Sequence, residues 1–263
     1  MALQSLRQQN TIDLVWELFR TDFKLRYNDS ALGFIWVLLK PFSIFLIMYF
    51  VLSRVFPSTE PNFALYLLIG NIFITFWSDG TSMGMDSLLG RAGLITKVNF
   101  PRYIVLISST AIAVVNFFIN LIIVSIFMIM AGLFPSIIHI LWFFFCALIL
   151  YILIVVVSMF LSIIYVRFRD MKQIWELFNQ LLFWATPIFY SFDALIKKSE
   201  YMDLLLTKLN PISILLISSR NALLKSDIIL QRNVFILLAA VLVIFYLGYI
   251  FYKKQIKKIA EYF

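Results

Sequence analysis

DLVWELFRTDFKLRYNDSALGFIWVLLKP, residues 13 to 41, runs a charged amphipathic segment without a linker into a long apolar stretch. At about 100° per residue, Ile12, Val15, Trp16, Phe19, Phe23 and Tyr27 fall on one helical stripe, and Asp13, Glu17, Arg20, Lys24 and Asn28 on another. The acids come early and the bases late, as the helix dipole prefers, and Asn10 or Thr11 supplies an N-cap. A helix of this kind directly before a membrane span lies in the plane of the bilayer surface, apolar side down and charged side toward water or a partner. Periodicity alone leaves two roles open, a surface anchor or a contact for another protein.

Composition decides the solvent. A chain of 263 residues that is 62% hydrophobic, 17% aromatic and 14% charged lacks the polar groups to cover a water-soluble surface. Its long uninterrupted apolar runs specify helices rather than the short alternating strands of a barrel. The expected fold is therefore an all-α membrane protein. The net charge of +8 would point to nucleic acid in a soluble protein, but here it reflects topology, and no nucleic-acid partner is expected. Cys146 and His139, the single cysteine and histidine, stand alone, so no metal site or disulfide is expected.

Six spans are predicted, at about residues 33–55, 64–83, 103–133, 137–166, 174–190 and 234–252. Residues 1–31 form the amphipathic interface helix, and residues 32–263 the transmembrane domain. Bases gather in the N-terminal segment (Arg7, Arg20, Lys24, Arg26), the second connection (Arg91, Lys97, Arg102), the fourth (Arg167, Arg169, Lys172) and the tail (Lys253, Lys254, Lys257, Lys258). The first connection has only Arg54 and the third none; the long fifth has six bases but also Asp193, Glu200, Asp203 and Asp227 and carries less weight, so both termini are expected in the cytoplasm. The region 191–233 is too long for a turn and too apolar for a solvated loop. It holds two short amphipathic pieces, about Asp193 to Lys208 and Pro211 to Lys225, either re-entrant helices or surface-lying ones.

Within the spans, Lys40 beside Pro41 is either a functional intramembrane charge or a snorkelling one. Asp79 and Asp86 share a helix face and could form a cation or proton site or simply a solvated helix end. Gly80 and Gly84 form a small-x-x-x-small pair that permits close helix approach. The run from Leu88 to Arg102 reads as a short basic helix stopped by Pro101, suited to docking on a cytoplasmic partner. Arg167, Arg169 and Asp170 sit in a tight turn that is a second docking contact or only a charged turn. No phosphate-cradling G-x-x-x-x-G-K-[ST], no H-E-x-x-H and no G-x-S-x-G occurs, so ATP or catalytic chemistry must come from elsewhere.

Four stretches in this order, TDFKLRYNDSALGFIWVLLKP (21–41), the Gly90 to Arg102 run ending KVNFPR, VRFRDMKQIWELFNQLLFWATPIFY (166–190) and LNPISILLISSRNALL (209–224), resemble the transmembrane subunit of ABC-2 type polysaccharide and polyol-phosphate exporters. That family includes permeases for O-antigen, capsule, teichoic acid and rhamnose-rich glycans. The resemblance implies a homodimer around one channel in the bacterial cytoplasmic membrane, served by two cytoplasmic ABC ATPase subunits. Those partners bind ATP and Mg; this chain carries no cofactor and is not itself an enzyme. An undecaprenyl-linked glycan is the implied substrate, and membrane lipids the surroundings.

The resemblance also assigns residues. Glu17, Arg20, Lys24, Lys97, Phe100, Pro101 and Arg102, with Arg167, Arg169 and Asp170, couple to the ATPase. Asn210, Pro211 and Arg220 belong to a gate of two re-entrant helices between the fifth and sixth spans. Trp36, Tyr49, Phe73, Trp77, Phe183, Trp184, Phe189 and Tyr190 suit a sugar channel, because rings let a polymer slide without tight binding; ordinary lipid-facing packing competes for many of them. The same architecture could export a small drug or lipid, and a gradient-driven transporter using Lys40, Asp79 and Asp86 stays open as a third class.

Overall fold

The computed structural model describes residues 13–24, 35–55, 62–97, 100–190, 209–229 and 231–256, and every regular element among them is a helix. In chain order these are α1 (13–24), α2 (Trp36–Val55), α3 (Phe63–Gly90), α4 (Ala92–Lys97), α5 (Tyr103–Met130), α6 (Ile137–Arg167), α7 (Met171–Ala185), α8 (Pro211–Arg220) and α9 (Gln231–Gln255). Residues 1–12 and 25–31 of the expected interface helix, and the first expected re-entrant piece at 193–208, lie outside the described residues.

Among the described residues five helices, α2, α3, α5, α6 and α9, are long and apolar enough to cross a membrane. The expected fifth span is the exception. α7 has 15 residues, which at 1.5 Å each makes about 22 Å, short of the roughly 30 Å hydrocarbon layer. It stops at Ala185 because Pro187 offers no N–H and drives Thr186 into an extended conformation (φ −99°, ψ 138°). The expected second span instead runs long: α3 continues past Met83 to Gly90, with Gly84 and Ser87 buried along the way.

α3 is the central post. Of its apolar stretch 72% is buried, against 17% for α2 and for α9. It packs chiefly on α5 and α6, and the glycine pair makes this possible. A Cβ on Gly80 would come within 2.8 Å of Ile154, and one on Gly84 would overlap the Ser158 hydroxyl. At mid-height Phe73 sits edge-on between Phe117 and Phe143, with ring centroids at 6.0 and 5.6 Å.

Two polar rungs fasten the short α7 to this post. Trp77 Nε1 donates to Asn179 Oδ1 at 3.0 Å, and Trp175 Nε1 to Thr81 Oγ1 at 3.0 Å. α8 is buried from Ile212 to Arg220 against α6, α3 and α9. It is followed by a π-helical turn, Asn221–Lys225, closed by Ser226 in a left-handed conformation.

Candidate functional site

The residues expected to couple to a partner gather at one end of the bundle. Glu17, Arg20 and Lys24 are exposed along α1. α1 is fixed by Arg91, whose guanidinium pairs with the Asp22 carboxylate and donates from Nη2 to the Leu18 carbonyl at 2.8 Å. Arg91 also joins two other helices: its N–H closes α3 onto Leu89, and its carbonyl accepts from Leu94 and Ile95 in the first turn of α4.

Lys97 ends α4 and is exposed; Phe100 is half-buried and Pro101 exposed. Leu18 and Phe100 pack on one apolar cluster with Leu88, Ile95 and Tyr252, so α1, α4 and the end of α9 share a base. Arg102 donates to the Ile256 carbonyl, and Arg167 Nη2 to Gln255 Oε1 at 3.0 Å. Arg167, Arg169 and Asp170 are exposed between α6 and α7. The result is one contiguous charged end made from four separate segments.

The eight expected channel aromatics divide. Phe73 and Trp77 are 0% and 4% exposed, buried within the bundle. Their burial follows from α3 being covered on nearly every side. Trp36 is exposed on α2, and Tyr49 is half-buried against Phe45. Phe183, Trp184, Phe189 and Tyr190 form one ring cluster at the end of α7, with centroids 5.1 to 6.2 Å apart.

Sequence reading missed the remainder of the α7 surface. Gln173, Glu176 and Gln180 are exposed, and helical spacing aligns them with Trp184 on the side opposite the buried Trp175. The signal was present as an i, i+3, i+7 recurrence of amides and acid inside an apolar run.

The expected gate residues organise the backbone at the other end. Asn210 caps α8, its Oδ1 accepting from Ile212 and Ser213 N–H at 3.1 and 3.2 Å, with Pro211 in the first turn. The same side chain donates from Nδ2 to Thr186 Oγ1 at 3.2 Å. Arg220, 2% exposed, donates to the Pro187 carbonyl and, at 2.8 Å, to the Ile188 carbonyl. Its guanidinium carbon lies 3.7 Å from the centroid of Tyr66, and the Tyr66 hydroxyl donates to the Tyr190 carbonyl at 3.0 Å. In the non-helical stretch after α7 the Pro187, Ile188 and Tyr190 carbonyls thus accept from side chains, as irregular backbone away from water requires.

Asp79 and Asp86, expected on one face, line different cavities. Asp79 shares one with Lys40, and Asp86 shares another with Asp22 and Arg91. Among the described residues no three His, Cys, Asp or Glu side chains gather as a metal site would require.

These features define a multi-pass helical membrane protein with a charged end and buried polar fastenings. The ABC-2 type transporter family model matches residues 13–224, and the chain belongs to that family. It is similar to an O-antigen export system permease protein RfbA of Klebsiella pneumoniae, with 24% identity over 209 residues covering 80% of this chain and 79% of that one. It is also similar to the O-antigen export system permease protein RfbA of Myxococcus xanthus, with 27% identity over 205 residues and 78% of each chain.

Proposed function

We propose that the chain is the channel-forming subunit of an exporter in which a separate ABC ATPase drives a lipid-linked polysaccharide across the cytoplasmic membrane, two copies enclosing the path. The observation that carries this reading is the outward side of α7. Gln173, Glu176 and Gln180 are exposed on it, and hydrocarbon offers an amide or carboxylate no partner. That side therefore lines an aqueous path or meets a second copy. Amides, a carboxylate and the rings of Trp184, Phe189 and Tyr190 supply the hydrogen bonds and apolar faces a sugar polymer needs.

The charged end formed by α1, α4 and the α6–α7 turn is the surface for the ATPase on this reading. Phe100 and Arg102 tie it to α9, and Arg91 ties it to α3, so a push there is delivered to two spanning helices. α8 acts as the gate at the opposite, outer end. Both termini face the cytoplasm, following the distribution of bases.

Extraction of lipid-linked glycans from a strain depleted of this protein tests the proposal. Accumulation of the complete glycan on the inner leaflet, with loss of surface glycan, is the expected result; normal surface glycan after complete depletion overturns it.

A further inference from the structure

Arg102, just before α5, donates to the carbonyl of Ile256, just past α9, so α5 begins where α9 ends. Between the two lies a cavity of about 370 Å³, lined in part by Phe100, Arg102, Tyr103, Tyr249, Tyr252 and Lys253. That volume falls in the range of small-ligand pockets, about 300–1,000 Å³. No residue of α7 lines it, and α9 packs on α6 and α8 whereas α7 packs on α3 and α6, so the cavity is set apart from the proposed path.

Charge sets the sign of a ligand. Arg102 and Lys253 line the cavity, and no Asp or Glu is among its lining residues. The N-terminal dipole of α5 and the C-terminal dipole of α9 meet here with opposite sign, so the side-chain bases decide the field. The bond from Arg102 Nη1 to the Ile256 carbonyl engages part of the guanidinium fork and orients the rest. Lys253 is exposed, and Lys254, Lys257 and Lys258 follow it in the chain, a basic cluster directly after an apolar span, which draws anionic lipid.

Depth gives the source of the anion. Tyr103 and Tyr249 are each 39% exposed, and Tyr249 lies six residues before Gln255, the last residue of α9, about 9 Å inside the helix end by helical rise. That is the level where headgroups give way to acyl chains and where tyrosine rings gather. Beside it on α9, Tyr246, Leu247 and Ile250 are exposed. The lining therefore reaches from the charged end into the depth of the bilayer, further than a soluble partner docked on that end extends.

We propose that this cavity holds the phosphodiester headgroup of an anionic glycerophospholipid from the surrounding bilayer, resident on the protein and separate from its cargo. Arg102 and Lys253 bond the phosphate oxygens, and the glycerol and first acyl methylenes pack on the rings of Tyr103 and Tyr249. The lipid then joins the start of α5 to the end of α9, the joint that the bond from Arg102 to Ile256 also makes. The site needs only that the chain spans a bilayer, and it does not rest on the export reading.

Native mass spectrometry of the full chain in detergent, titrated with phosphatidylglycerol or with phosphatidylcholine of the same acyl chains, reads the binding directly. Phosphatidylglycerol binds about fivefold more tightly, the scale of one base acting on an anionic lipid. Lys253→Gln removes most of that preference. Lys254→Gln takes the same charge from an exposed neighbour outside the cavity and leaves the preference largely intact. Arg102→Gln abolishes it, and Lys253→Gln, which alters an exposed side chain, carries the test if the arginine variant misfolds. Inorganic phosphate in excess does not displace the lipid. Equal loss in the two lysine variants reduces the attraction to general surface charge and overturns the site. Equal binding of the two lipids by the wild type, displacement by inorganic phosphate, or release of the lipid when the partner ATPase docks overturns it as well.

Discussion

Arg91 grips Asp22 across the break between α1 and α3, and the same guanidinium holds the Leu18 carbonyl, so one side chain fixes both the position and the angle of the amphipathic helix. Both partners are largely shielded, with side chains 11% and 25% exposed. Such a pair is worth more than a surface ion pair, and removing one partner costs about 2 kcal/mol, between the exposed and fully buried limits. Arg91→Gln should release α1, seen as faster labelling of a cysteine placed at Leu18. The exchange Asp22→Arg with Arg91→Asp should recover most of the protection; if it does not, the Leu18 bond and not the charge pair sets the position.

Replacement of Glu17, Arg20 and Lys24 together addresses the exposed side of the same helix. None of the three is buried, so membrane insertion and thermal stability should stay at the wild-type level. On the proposed function, ATP hydrolysis by the partner should continue while surface glycan falls several-fold, measured as export per ATP consumed. An unchanged ratio would return α1 to the role of an anchor.

Gly84 tests the close approach of α3 and α6. Gly84→Ala puts a methyl onto the Ser158 hydroxyl and should cost about 1–3 kcal/mol as overpacking, read as a lower Tm in detergent. Ser158→Gly in the same protein should restore most of it, because the overlap is with that side chain.

What the sequence discloses and what it withholds separate along physical lines. Apolar run length placed both ends of α2, α5, α6 and α9 and the start of α3 within a few residues but ended α3 a turn or two early, at Met83 rather than Gly90, and Pro187 correctly marked where regular structure stops. Asn210-Pro211 was readable as a helix start because capping is a local interaction. The expected fifth span extended to Tyr190, whereas α7 stops at Ala185, just before Pro187. The burial of Phe73 and Trp77 could not be read from the sequence, since α3 is aromatic on several sides and only its neighbours decide which rings are enclosed. Asp22 and Arg91, or Tyr66 and Arg220, meet across long stretches of chain, and no periodicity records such a meeting.

Arg220 offers the sharpest test of the gate end. Its guanidinium occupies the space over Gly70, where an added Cβ would overlap Nη2, and it serves the Pro187 and Ile188 carbonyls while lying on Tyr66. Arg220→Met keeps an unbranched chain but strands two carbonyls, for about 2–4 kcal/mol of lost stability. Gly70→Ala should cost a comparable amount by driving the guanidinium off those carbonyls. The double variant should then be little worse than Arg220→Met alone, because the methyl no longer meets a guanidinium and the same bonds cannot be lost twice. Simple additivity of the two Tm shifts would mean that Gly70 matters for packing against Ile188, the other close neighbour of an added Cβ, and that the clasp is not the joint between α3, α8 and the end of α7.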